Sequence, residues 1–180
     1  MSEKSLLISI KPSHYCEKVR WALEYLDIPY KEESHFPMFH LLANKKHKGG
    51  RTVPLLLINN EILKDSTDIL KYIDTKANNG LKLYPSDTEQ LKEVDELEEL
   101  FDTKLGTHTR RFAYYYLLPN KKLLIEKFKD TNDFEKNTFS ILFPIIKQML
   151  SKVMNINEAT AMISKDKILG RIFFFKIFGS

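Results

Sequence analysis

In KPSHYCEKVRWALEYL, residues 11–26, the only cysteine of the chain, Cys16, follows Ser13 by three positions, where the pattern turns helical. The first turn of a helix offers unpaired N–H groups and the positive end of a dipole, which together favour an anion. Two chemistries are open there: a hydroxyl donating to a bound anion, or a thiol acting as nucleophile. Ser13 also reads as an ordinary helix cap. Cys16 falls on the apolar stripe of the helix, where a cysteine is usually a small buried hydrophobe, and the balance favours Ser13. A second helix opens at Asp65-Ser66, with Asp68 placed as a first-turn acid. His35, His40 and His47 are spaced by 5 and 7 without carboxylates at matching positions. That fits no usual zinc pattern, so they are read as surface histidines and no metal is predicted.

The elements that must position these groups follow from periodicity. SLLISI, residues 5–10, reads as a short buried strand stopped by Pro12. Cys16, Val19, Ala22, Leu23 and Leu26 then share one helical face, and Pro29 ends that helix. YKEE is a second strand, and residues 34–50 read as a loop with a short irregular helix. VPLLLINNEILKD is a hairpin turning at Asn59-Asn60, because asparagine tolerates positive φ. Ile69, Leu70 and Ile73 face inward from the next helix. The predicted order is β-α-β-α-β-β-α, an α/β unit with a mixed sheet. Residues 77–90, rich in Gly, Pro and polar side chains, read as a linker, and all-helical sequence follows. Leu91, Val94, Leu97, Phe101 and Leu105 form one apolar stripe, Pro144 predicts a kink, and RIFFFKIF has neither helical nor strand-like spacing.

With 28 basic and 24 acidic residues, distributed 12 against 10 before Gly80 and 16 against 14 after it, neither half is a basic module. No polybasic block is interleaved with aromatics, so no nucleic-acid partner is expected. A lone cysteine makes no internal disulfide, the first apolar run is too short for a signal peptide, and no stretch approaches 18 apolar residues. The expected address is the cytosol, without stable membrane insertion.

SHYCEKVRWALEYLDIPY, then GGRTVPLLLINNEILKDSTDILKYID, the linker LYPSD and an all-helical remainder together resemble the glutathione S-transferase family. The resemblance is close over residues 5–86, looser to about 160, and absent beyond. It implies a thioredoxin-like glutathione-binding domain over residues 1–78, a linker at 79–88, a partial all-helical domain at 89–163 and an atypical tail at 164–180. It further implies glutathione as co-substrate, a small-molecule electrophile as partner, and a homodimer. Ser13 stands where glutaredoxin-like relatives carry the first cysteine of a C-x-x-C pair, and would stabilise the glutathione thiolate. Val53-Pro54 would carry a cis bond and pair its backbone with the cysteinyl unit, whereas the plain reading is a trans proline opening an edge strand. Asp65-Ser66 would hold the γ-glutamyl end, with Asp standing where Glu is common. Arg51, His40 and Lys48 are candidates for the glycine carboxylate.

The helical half departs from the family, lacking its usual S-x-A-D cap motif. Tyr114, Tyr115 or Tyr116 would line an electrophile pocket, although at helical spacing Phe112, Tyr115 and Tyr116 are more often core. Arg110, Arg111 and His108 read as hydrogen-bonding between domains. Three functions are therefore weighed: a detoxifying transferase using Ser13, a non-catalytic transferase-like interaction module, and, last, a reductant based on Cys16.

Overall fold

Strand β1 (Ser5–Ser9) lies between β2 (Tyr30–Ser34), to which it is parallel, and β3 (Leu55–Ile58), to which it is antiparallel; β4 (Glu61–Leu63) closes the edge beside β3. This is a computed structural model, and it describes residues 5–77 and 80–178. Three helices are interleaved with the strands: α1 (His14–Tyr25), α2 (His40–Lys46) and α3 (Ser66–Lys76). The order is the predicted β-α-β-α-β-β-α. Asn59 and Asn60 both adopt positive φ, as a two-residue hairpin turn requires. Asp27, also at positive φ, ends α1 ahead of Pro29.

The sheet is buried on both faces. Leu7, Leu56 and Ile58 join Val19 and Leu23 of α1, Leu26 at its C-cap, and Ile69 and Ile73 of α3 in one apolar cluster. Ile8 and Leu55, paired across the strands, are equally buried and, with a side-chain period of two, point to the opposite face. Gly49 packs there against Leu55: a Cβ at Gly49 would sit 2.6 Å from Leu55 Cδ2.

After residues 77–87 come α4 (Thr88–Glu99), a π-helical stretch (Leu100–Leu105), α5 (Gly106–Leu117), α6 (Lys121–Glu126), α7 (Asp133–Val153) and α8 (Glu158–Phe178). Where the spacing predicts one helix over 89–105, the ladder loosens at Leu100. Thr103 and Thr109 donate their hydroxyls to the Glu99 and Leu105 carbonyls at 2.7 and 2.8 Å, the back-bonding that competes with regular helix. Asparagines start the later helices: Asn120, Asn132 and Asn157 accept from the N–H groups of Leu123, Glu135 and Thr160. RIFFFKIF, unassigned by spacing, continues the backbone of α8, and the tail phenylalanines fall outside the residues whose side chains are described.

The chain divides into two units. The first comprises residues up to Val94 together with Phe128–Lys136; the second comprises Asp95–Lys127 and the chain from Asn137 on. In the second, α5 packs along α8. Arg111 donates to the Met154 carbonyl at 2.9 Å and to the buried Ser164 hydroxyl at 3.2 Å, and His108 Nδ1 meets the same hydroxyl at 3.1 Å. Where the sequence reading expects bonds between domains, these bonds of Arg111 and His108 lie within the helical unit. Tyr114 is the buried aromatic of α5, whereas Tyr116 is 57% exposed and packs edge-on to Phe112 and Tyr115. Of the predicted core triplet, Phe112 and Tyr115 are half-buried and Tyr116 is exposed. Among the described residues no helix is long and apolar enough to cross a membrane.

Candidate functional site

All four connections that carry the candidate residues lie at one end of the sheet, and strand register places them there. Ile8 pairs with Leu55, so the turn that leaves β1 lies beside Val53-Pro54, which enters β3. Leu56 pairs with Leu63, so β4 delivers Asp65 to the same end. Ser9 pairs with Ser34, and the His35 N–H donates to the Ser9 carbonyl at 3.0 Å, bringing the exit of β2 alongside.

Ser13 caps α1 from extended backbone, its Oγ accepting from the Cys16 N–H at 3.4 Å. Cys16 is fully buried, and burial pushes its thiol above the ordinary range despite opposing contacts from the Ile10 backbone, Ser13 and Arg20. A thiol so placed is short of the thiolate that reactivity needs. The Val53–Pro54 peptide is cis, with Pro54 buried and Val53 half-buried. Asp65 caps α3, accepting from the Thr67 N–H at 2.9 Å, and Ser66 is buried at its first position. Arg51 and Lys48 are exposed. His40 is half-buried and donates from Nε2 to the Arg51 carbonyl at 3.2 Å. Burial keeps its imidazole below the usual histidine range, in keeping with a neutral ring donating to a carbonyl.

Three features behind these loops escape sequence reasoning. Asn44 of α2 is buried and donates from Nδ2 to the Gly50 and Thr52 carbonyls at 3.1 and 2.7 Å, holding the segment before the cis bond at two points. Glu32 of β2 accepts from Ser9 Oγ at 2.5 Å, Lys11 Nζ at 3.0 Å and Arg20 Nε at 2.8 Å. Glu135 accepts from the Phe36 N–H at 3.0 Å and meets His35 Nδ1 at 2.6 Å, while Phe128 stacks on Phe36. His35 is thus buried and paired, contrary to its reading as a surface histidine; a partner a hundred residues away leaves no local signal. Glu32 stands beside Glu33 on a strand without clean alternation, so its residue type alone does not set it apart.

Residues 7–80 match the family model described as glutathione S-transferase, N-terminal domain. Over those residues the chain is similar to the N-terminal domain of the glutathione S-transferase family. Over 116 residues, 62% of the chain, the sequence is 31% identical to glutathione S-transferase U27 of Arabidopsis thaliana. That alignment takes in 51% of the plant protein, so the chain spans about half the length of the curated relative it matches. Among solved structures it is similar in fold to the Tau class glutathione S-transferase of mango, Mangifera indica, with a TM-score of 0.53 and 21% identity over 63% of this chain and 52% of that one. The beta-etherase LigF from Sphingobium sp. strain SYK-6 matches over more of the chain, 92% against 69% of its own, with a TM-score of 0.64 and 16% identity. A likeness at such identities is one of fold. The transferase fold therefore accounts for the thioredoxin-like sheet followed by helices, and the loops at its one end are what remain to be given a role.

Proposed function

We propose that the chain binds reduced glutathione at this end of the sheet and activates its thiol for conjugation to a small electrophile. The observation that supports this best is the gathering of the Ser13 hydroxyl, the cis Val53–Pro54 segment and the buried Ser66 at the start of α3 on one sheet end. In this reading Ser66 and the first turn of α3 take the γ-glutamyl carboxylate. The Asp65 Oδ1 is committed to its cap, so Oδ2 serves the free amine. The Val53 backbone pairs with the cysteinyl unit as an added strand, and Arg51 or His40 lies on the side of the glycine carboxylate.

Ser13 donates to the sulfur. Lowering a thiol pKa near 8.5 by about two units takes about 2.7 kcal/mol, which a charge-assisted hydrogen bond and the α1 dipole supply together. The thiol proton leaves to water and the sulfur pair forms the carbon–sulfur bond. The leaving group departs with the electrons of the bond that breaks. Cys16, buried and held as a thiol, takes no part. The cytosol, rich in reduced glutathione, is the compartment that suits such chemistry.

Calorimetric titration with reduced glutathione, run on the wild type, Ser66→Ala and Ser13→Ala, tests the reading. The expected result is saturable binding weakened by Ser66→Ala, with turnover of a chromogenic electrophile lost in Ser13→Ala. Absence of binding by folded protein would refute it. A second reading, a non-catalytic interaction module, is favoured by the apolar residues left exposed on α7, Ile141, Ile145 and Val153 among them. Saturable binding without turnover of any electrophile would support that one.

A further inference from the structure

We infer that Arg20 and Glu32 are positioning residues, an ion pair that holds the turn between β1 and α1 and so fixes where the Ser13 hydroxyl stands. The inference deepens the transferase reading and, in its catalytic part, rests on it.

Arg20 lies two turns into α1 from Ser13 and is 7% exposed. Its guanidinium is divided among three acceptors on three segments: Nε to Glu32 of β2, Nη1 to Glu17 of α1, and Nη2 to the Lys11 carbonyl at 3.2 Å. Glu32 gathers the complementary set, the Ser9 hydroxyl at the end of β1, the Lys11 ammonium and Arg20. Lys11 is therefore held twice, by its carbonyl and by its side chain, two residues before Ser13. The backbone bond from the Ser13 N–H to the Ile10 carbonyl at 3.0 Å closes the same turn.

A buried ion pair adds little net stability compared with well-packed apolar groups. What it supplies is direction, because a guanidinium fork fixes the orientation of each group it meets. Burial alone would raise the Glu32 carboxyl, yet the bonds from Ser9, Arg20 and Lys11 hold it below its ordinary value, so Glu32 stays charged at neutral pH. The pair thus spans β1, β2 and α1 at the one turn where a displacement of an ångström would take a hydroxyl out of reach of a bound sulfur.

The sole cysteine makes the turn observable without any ligand. Cys16 is fully buried, its N–H meets Ser13 Oγ, and its thiol contacts the Ile10 backbone, so it is shielded by the same turn. The experiment compares wild type, Arg20→Lys, Glu32→Gln, Ser13→Ala and the matched core variant Ile73→Val. Alkylation of Cys16 by N-ethylmaleimide is timed in each folded protein. The thiol pKa of bound glutathione is then read by ultraviolet titration.

Loss of a charge-assisted bond predicts alkylation about tenfold faster in Glu32→Gln and Arg20→Lys. The bound thiol should titrate about one unit higher in Glu32→Gln, approaching Ser13→Ala, with partial recovery in the conservative Arg20→Lys. Ile73→Val, which opens the protein only globally, should leave the thiol pKa in place. Wild-type alkylation rates in both network variants would overturn the anchoring, whatever glutathione does. Faster alkylation with an unmoved thiol pKa would overturn the positioning role and leave a structural pair. A wild type that forms no bound thiolate would refute the transferase reading, while faster alkylation would still uphold the anchoring of the turn.

Discussion

Charge closes the first unit, and it does so over long stretches of chain. Glu32 ties Arg20 and Lys11 to β2, and Glu135 brings the segment 128–136 onto His35 and Phe36. The second unit is held differently. Two of its helices, α6 and α8, start on their own asparagines, and α5 bonds to a neutral hydroxyl, Ser164 of α8, and to a backbone carbonyl, Met154, in the turn before α8. Its outer surface is apolar in places, with Ile141 and Val153 nearly four-fifths exposed. The contrast teaches that long-range ties in the first unit converge on two carboxylates, Glu32 and Glu135, whereas those of the second unit end on an uncharged hydroxyl and a backbone carbonyl.

Removing a distant partner should therefore break the comparison most severely. Glu135→Ala leaves His35 and the Phe36 N–H buried without their acceptor, and a loss of about 3–5 kcal/mol is expected on urea unfolding. Next comes Gly49→Ala, whose new Cβ would meet Leu55 at 2.6 Å and the Asn44 carbonyl at 3.1 Å. Overpacking of this kind costs about 1–3 kcal/mol. Because Asn44 grips the segment before Val53, weaker glutathione binding by calorimetry is expected to accompany it.

How much of this was open to sequence reasoning depends on distance along the chain. The hairpin at Asn59-Asn60, the stop at Pro29, the caps at Ser13 and Asp65 and the inward Ile69 and Ile73 are all local consequences of residue type, and the structure carries each of them. The mixed sheet followed by helices was likewise legible. The connections that carry the candidate residues could be named, since each is a short local pattern. Their bracing could not. His35 has an unremarkable neighbourhood in sequence, and nothing near it announces Glu135. In α5 helical spacing alone chooses Phe112, Tyr115 and Tyr116 for the core, yet the packing of α8 sets which face turns inward, and Tyr114 is the residue buried. The stripe on 89–105 fails for a related reason: the threonine back-bonds interrupt the ladder, and Leu97 and Phe101 are each 41% exposed.

Acid should sharpen the comparison at the helical unit. Partial burial, then Arg111, Lys167 and Arg171, all cationic, hold the His108 imidazole below the usual histidine range. Arg111 can only donate, so the Ser164 hydroxyl donates to an unprotonated Nδ1. The folded state thus binds this proton less readily than the unfolded chain. The stabilisation is complete above the unfolded value of about 6.5 and is lost as pH falls through the lower folded value. Urea midpoints should drop between neutral pH and pH 5, and His108→Gln should flatten part of that slope. His40, depressed by burial, adds a slope of the same sign in the first unit. The smallest effect is expected at the exposed face: Ile141→Ser should change stability by no more than about 0.5 kcal/mol, while raising solubility in a precipitation assay.

The reach of Glu135 also sets an order on biosynthesis. The last secondary-structure element of the sheet-containing unit before the linker ends at Lys76, yet the carboxylate that satisfies His35 and Phe36 emerges from the ribosome roughly sixty residues later. At about 5–20 residues per second that is a wait of about 3–12 s. During it the His35 ring and the Phe36 N–H lack the carboxylate and the Phe128 ring that later cover them. A ribosome paused within the linker would therefore hold a domain whose strands are all made but whose interior is not yet closed.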